Sequence, residues 1–218
     1  MRRKRVARRR PTSNVNRSLQ PFSQRYVSKM KYAETLSIVG SGFGGLTQFN
    51  FNLNSIFDPN RSGTGHQPYG HDTLATLYNR YRVIKCSYVI SSLSTGGTNG
   101  DAYSVIAALP ANEIITLNGG VAEAQENPKC KFITQAPQAA LKVLKGTIDI
   151  ASLVGRTKSQ YMADDRYQSL YGASPNELAV LNIYTGLLNG ESQTLTQKLN
   201  IVLEFTVESF DVKNLVQS

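Results

Sequence analysis

The chain has no tryptophan, two cysteines and two histidines in 218 residues, and nowhere a run of about 18 apolar residues. Each scarcity closes a class of function. Cys86 and Cys130 are too few for a disulfide framework, and Cys130 lies between Lys129 and Lys131, so both read as free thiols in a reducing compartment. His66 and His71 leave few candidates for a general base, and no Ser, Cys or Thr pairs by spacing with a base and an orienting acid. The chain does not read as an enzyme, and no cofactor is expected. Without a long apolar run no membrane contact is expected, and no apolar segment follows the first arginines before Pro11, so no secretory signal is expected either. Asn16-Arg17-Ser18 and Asn60-Arg61-Ser62 then match the glycosylation acceptor pattern by chance.

Acidic residues are missing from the first 33 positions. Ahead of Glu34 stand Arg2, Arg3, Lys4, Arg5, Arg8, Arg9, Arg10, Arg17, Arg25, Lys29 and Lys31, eleven of the 24 basic residues. The other 13 face all 15 acidic residues, which leaves the remainder near −2. The chain is thus a polycation joined to a nearly neutral body. Such a tail suits a polyanion, because each phosphate that a Lys or Arg neutralises releases a condensed counterion whatever the base sequence. These eleven residues are the candidate nucleic-acid-binding set. Arg2 to Arg5 and Arg8 to Arg10 also fit a nuclear localisation signal.

Residues 1–31 have little apolar content, and Pro11, Thr12, Ser13, Asn14, Asn16 and Ser18 break any period, so this arm is expected to be disordered and its removal to leave the body folded. Phe22, Tyr26, Met30 and Tyr32 lie among the cations. They could stack on bases, although tethering the arm to the body is the plainer role.

Residues 32–218 are expected to form one domain. The dominant pattern there is period two in short runs separated by Gly, Pro, Asn and Ser, the pattern of an all-β sandwich. The expected strands are Thr35–Val39, Thr47–Leu53, Val83–Ser91, Tyr103–Leu109, Lys131–Gln135, Leu141–Ile150, Leu178–Tyr184 and Leu199–Phe210. Eight such runs with long connections suggest two packed antiparallel sheets, as in jelly rolls. One helix is expected over 72–81, with Asp72 as N-cap and Leu74, Leu77, Tyr78 and Tyr81 on one face.

Three motifs are decoys. Gly40, Gly42 and Gly45 match a dinucleotide-binding spacing, with Asp58 near the ribose position, but that chemistry needs a helix where residues 46–54 alternate as a strand. His66 and His71 form too small a set for zinc and read as residues of a polar loop. Asp164 and Asp165 could join a neighbouring subunit's carboxylates around calcium, yet as an adjacent loop pair they read as solvated.

The segments Phe51-Asn52-Leu53-Asn54-Ser55-Ile56-Phe57-Asp58-Pro59, Gly63-Thr64-Gly65-His66-Gln67-Pro68-Tyr69-Gly70 and Leu77-Tyr78-Asn79-Arg80-Tyr81-Arg82-Val83 are specific in combination. In this order, behind a basic arm, they resemble the capsid proteins of circular Rep-encoding single-stranded DNA viruses, circoviruses among them. The resemblance implies a single eight-stranded jelly roll that assembles with identical subunits into an icosahedral T=1 shell. It further implies an arm that faces packaged single-stranded DNA, entry through the host nuclear import machinery, and residence in the virion and, during assembly, in the host nucleus. Under it Gly65, His66, Gln67 and Pro68 are packing and subunit-contact elements. One jelly-roll strand is then expected between Ile150 and Leu178, where no period-two run is evident. A non-viral nucleic-acid-binding β-sandwich and the coat protein of a small RNA virus remain as alternatives.

Overall fold

The computed structural model describes residues 22–40, 45–97, 103–136, 139–188 and 195–214. Alternation builds the first sheet. In the strand Leu195–Val212, Gln197, Leu199, Ile201, Leu203, Phe205 and Val207 are buried, while Lys198 and Asn200 face water. In chain order the elements are β1 (Arg25–Gly40), β2 (Leu46–Asn52), α1 (His71–Leu77), β3 (Tyr78–Gly97), β4 (Ser104–Ala111), α2 (Gly120–Glu126), β5 (Lys131–Gln135), β6 (Lys142–Asp149), α3 (Ile150–Leu153), α4 (Lys158–Ala163), a 3-10 turn (Asp165–Tyr167), β7 (Gln168–Leu170), β8 (Val180–Leu187) and β9 (Leu195–Val212).

Sheet A runs β1-β9-β3-β6, with β7 beside β3, and sheet B runs β2-β8-β4-β5. All pairings are antiparallel. The chain crosses between sheets at most connections, which interleaves two sets of four strands as a jelly roll does; β7 is a short ninth strand. Tyr32, Phe51, Ile90, Ile106, Leu181, Ile183, Leu203 and Phe205 fill the space between the sheets. Each such side chain contributes about 1.5–3 kcal/mol by leaving water.

One end of this core is polar. Ser92 Oγ donates to Gln135 Oε1 (2.6 Å), Gln197 Nε2 donates to Ser92 Oγ (2.7 Å) and Ser104 Oγ (3.3 Å), and Thr185 Oγ1 donates to Gln197 Oε1 (2.5 Å). These five residues come from β3, β5, β9, β4 and β8, so the network joins both sheets. Being paired, it avoids the desolvation cost that buried amides and hydroxyls otherwise carry.

The two outer faces differ. On sheet B, residues 112–130 fold back over the strands, and Leu117, Ala124, Ile115 and Cys130 pack on Ala107, Leu109 and Tyr184. Asn182 pins this cover: its amide donates to the carbonyls of Leu109 and Glu113, and its oxygen accepts from the backbone N–H of Ile115 and from Gln48. On sheet A, Lys85, Val89, Leu93, Val143, Lys145 and Lys198 are exposed.

Four sequence expectations need correction. β1 starts at Arg25, so the boundary at 31/32 falls inside a strand: Arg25 to Lys31 pair with Phe210 to Glu204, and Met30 is buried. Deleting residues 2–31 would strip β9 of half a partner, whereas a cut after residue 21 spares the strand. The helix expected over 72–81 ends at Leu77, because Tyr78 and Tyr81 belong to β3, paired with Val212 and Ser209. Asp72 is not its cap; Gly70, in the left-handed region at φ 89°, takes that position without a side-chain bond. Finally, residues between Ile150 and Leu178 form no missing jelly-roll strand. They form α3, α4, the 3-10 turn and three-residue β7, with Asp149 capping α3 and Thr157 and Gln160 making a reciprocal cap on α4.

Candidate nucleic-acid interface

The candidate set divides at residue 22. Arg2, Arg3, Lys4, Arg5, Arg8, Arg9, Arg10 and Arg17 lie outside the described residues. Arg25, Lys29 and Lys31 stand on the outer face of β1, where alternate residues recur at about 6.7 Å. All three are ion-paired to β9: Arg25 Nη1 to Glu208 Oε1 at 3.1 Å, Lys29 Nζ to Glu204 Oε1 at 2.7 Å and Lys31 Nζ to Glu204 Oε2 at 3.5 Å. The hydrogen bond from Lys29, with the charge of Lys31 behind it, holds the Glu204 carboxyl below its ordinary range, against a smaller opposing effect of desolvation. The three cations remain 65–70% exposed, so their pairs are solvent-screened and open to exchange for another anion.

The aromatic and apolar residues among these cations are mainly anchors. Met30 and Tyr32 are in the core, and Tyr26 stacks on Tyr78 at 6.4 Å between ring centres, while Phe22 is exposed.

Arg82 lies just outside the period-two run Val83–Ser91, although it belongs to the Leu77–Val83 segment. It is buried on β3, donating from Nη1 to the Met162 carbonyl (2.7 Å) and from Nη2 to Gln168 Oε1 (2.9 Å), with its guanidinium over Tyr161 and Phe210. Burial lowers its pKa, and the arrangement clamps the 158–168 segment to sheet A. Neighbouring Arg80 is exposed, 3.9 Å from Asp211.

The residues of the 51–83 constellation pack against one another. Asn54 donates to the Glu177 carbonyl and accepts from the Ala179 N–H, which ties the turn after β2 to the entry of β8. Asn60 Nδ2 donates to both oxygens of Glu34, and Tyr32 hydroxyl donates to the same carboxylate. His66 stacks on the Tyr32 ring at 4.6 Å. A Cβ at Gly65 would lie 2.8 Å from the Asn60 Cβ and 2.9 Å from the Tyr32 hydroxyl, so the glycine is required by close approach. His71, read from sequence as a polar-loop residue, is buried edge-on to Tyr171, with Nδ1 2.9 Å from Asp72. Beside Glu34 a cavity of about 360 Å³ opens between β1 and β2, lined also by Leu36, Phe49, Arg61 and Ile114.

The decoys resolve locally. The segment after Gly45 is β2, a strand where a dinucleotide site needs a helix. Asp164 accepts from the Arg166 backbone and guanidinium, which holds its pKa at about 2, and Asp165 accepts from Gln168. Cys86 and Cys130 are unpaired thiols, both with pKa values raised by burial. Among the described residues no helix is long and apolar enough to cross a membrane.

No protein-family model and no curated protein matches the sequence. Solved structures similar to the chain include Desmodium yellow mottle tymovirus (11% identity, TM-score 0.37, covering 100% of both chains). Another is the empty head of turnip yellow mosaic virus (11%, 0.40, covering 100% of this chain and 94% of that one). A third is the semi-empty virus-like particle of the giant freshwater prawn Macrobrachium rosenbergii nodavirus (11%, 0.45, covering 99% and 96%). Likenesses this distant carry no weight for function.

Proposed function

We propose that the chain is a viral coat protein whose jelly-roll body assembles with identical copies into a closed icosahedral shell, while its N-terminal cations neutralise a packaged single-stranded nucleic acid. The observation that carries this reading is the segregation of charge: eleven cations and no acid precede Glu34, and the body behind them is near −2. Self-neutralisation within the arm is ruled out by composition, so a counter-polyanion is the economical partner. The motif constellation of residues 51–83 supports a capsid of the circular single-stranded DNA viruses in particular, and with it DNA as cargo, T=1 assembly and a nuclear stage that uses Arg2 to Arg5 and Arg8 to Arg10. Under this reading Arg2, Arg3, Lys4, Arg5, Arg8, Arg9, Arg10 and Arg17 bind phosphates, and Arg25, Lys29 and Lys31 do so by exchanging their carboxylate partners.

One experiment tests the reading. The full chain and a variant lacking residues 2–21 are expressed, sized by light scattering and electron microscopy, and treated with nuclease. The full chain is expected to give uniform closed particles with protected nucleic acid. The truncated chain is expected to stay mostly β by circular dichroism and to lose protection, because eight cations are removed and β1 is spared. Monomers or dimers alone, across salt and with single-stranded DNA added, would overturn the coat-protein reading. For the cargo, contents of authentic virions should resist RNase and yield to DNase once the shell is opened. The opposite sensitivity would favour an RNA virus.

A further inference from the structure

The strands of sheet A hold nine basic and five acidic residues, whereas those of sheet B with their 112–130 cover hold two basic and three acidic. The positive side of the body is therefore sheet A. It is also the side where the arginine-rich segment joins, since β1 is an edge strand of that sheet.

Three lysines on this face stand apart from the β1 cations. Lys85 lies between Thr206 and Asp149, Lys198 between Ser37 and Leu93, and Lys145 opposite Val89, which itself faces Val202. All three are exposed, and unlike Arg25, Lys29 and Lys31 they enter no ion pair or side-chain hydrogen bond among the described residues. Binding a phosphate there requires no carboxylate to be displaced. Between them Val89, Leu93 and Val143 are 37–47% exposed, an apolar surface that no described segment covers.

Unpaired cations spaced around apolar rows match a polymer that presents phosphates and open base faces together. A single strand does so; a duplex hides its base faces. We infer that the outer face of sheet A is a second nucleic-acid-binding element, in which Lys85, Lys145 and Lys198 hold the phosphodiester backbone of a single strand whose bases lie on Val89, Leu93 and Val143. This rests on the packaging role proposed above and extends it from the arm to the body.

The test is a full-length triple variant, K85Q/K145Q/K198Q, titrated with fluorescent oligodeoxythymidylate over a salt series, with particle formation followed in parallel. Each lost phosphate contact on a single strand lowers the salt slope by about 0.7, so the slope should be shallower by about 2. A fourfold rise in salt then costs the variant about sixteenfold less affinity than it costs the wild type. Particles should form as before, and K129Q/K131Q on the sheet B side should leave the slope unchanged. An unchanged slope in the triple variant, with wild type binding and assembling, overturns this inference alone. Loss of particles by the triple variant overturns it too, by assigning the face to contact between copies. A wild type that neither assembles nor binds overturns the coat-protein reading with it.

Discussion

The strands of sheet A hold fourteen charged residues and those of sheet B hold one, Lys131. The two sheets have the same number of main strands and share one core, so the difference arises outside that core. β8 is buried along its whole length, and β4 nearly so, because residues 112–130 close the outer face of sheet B. An ionised side chain there would have to be desolvated without a partner, at a cost of several kcal/mol. Sheet A keeps its outer face wet and can carry cations at alternate positions of β1. The result is a body with an inert side and an electrostatically active side, and the active side adjoins the arm.

Breaking the cover of sheet B should have the largest effect. Asn182 is fully buried and makes four hydrogen bonds to the cover and its surroundings. Asn182→Leu leaves the Leu109 and Glu113 carbonyls and the Ile115 N–H without this partner. At about 1–3 kcal/mol for each group left unsatisfied, less what water recovers, the loss should be about 3–5 kcal/mol by urea denaturation. A loss under 1 kcal/mol would mean that residues 112–130 are held by their apolar contacts and by the bonds of Gln48 and Tyr184 to the Ile115 carbonyl.

A cut at the seam between the sheets should cost less. Gln197→Leu removes the central member of the polar network: Thr185 and Ser104 lose their side-chain partner in a site that stays buried, while Ser92 keeps its bond to Gln135. Hydroxyls can rotate toward other acceptors, so about 2–3 kcal/mol is expected by the same measurement. Stabilisation by the leucine would show that the network does not add to stability.

The same contrast governs how legible the fold was. Each of the eight expected strands overlaps an observed one, including the two of sheet B that are buried on both faces, because turn residues bound them. The start of β1 reads as a tail because its outward residues are cations: Ser28, Met30 and Tyr32 alternate with Val27, Lys29 and Lys31 as a strand should, but the charge points to a tail. Tyr78 and Tyr81 fit a helical face by spacing, and pairing with β9 outweighed that local preference. The charge of the β1 cations is legible in the sequence, whereas their pairing with Glu204 and Glu208 is not, because the partners are about 175 residues apart. Lys85, Lys145 and Lys198 carried no signal of their own; each is an isolated lysine until the register aligns their strands on one face.

The smallest expected effect sharpens the comparison most. Glu204→Gln removes the carboxylate shared by Lys29 and Lys31 from the outer face of sheet A. These lysines are 70% exposed, so the pairs should contribute only about 0.2–1 kcal/mol near neutral pH. The Glu204 pKa is depressed in the folded state, so its contribution is present above its ordinary value of 4.5 and is lost as pH falls through the lower folded value. Wild type should therefore exceed E204Q in melting temperature by about 1–3 °C at pH 7, and the two should converge in acid. High salt should shrink the gap as well, since the Debye length falls to about 3 Å at 1 M. A cost above about 2 kcal/mol, insensitive to salt, would require Glu204 to be shielded from water. That outcome would mean the outer face of sheet A is covered in solution, and the two sheets would then differ in which part of the assembly covers them rather than in whether they are covered.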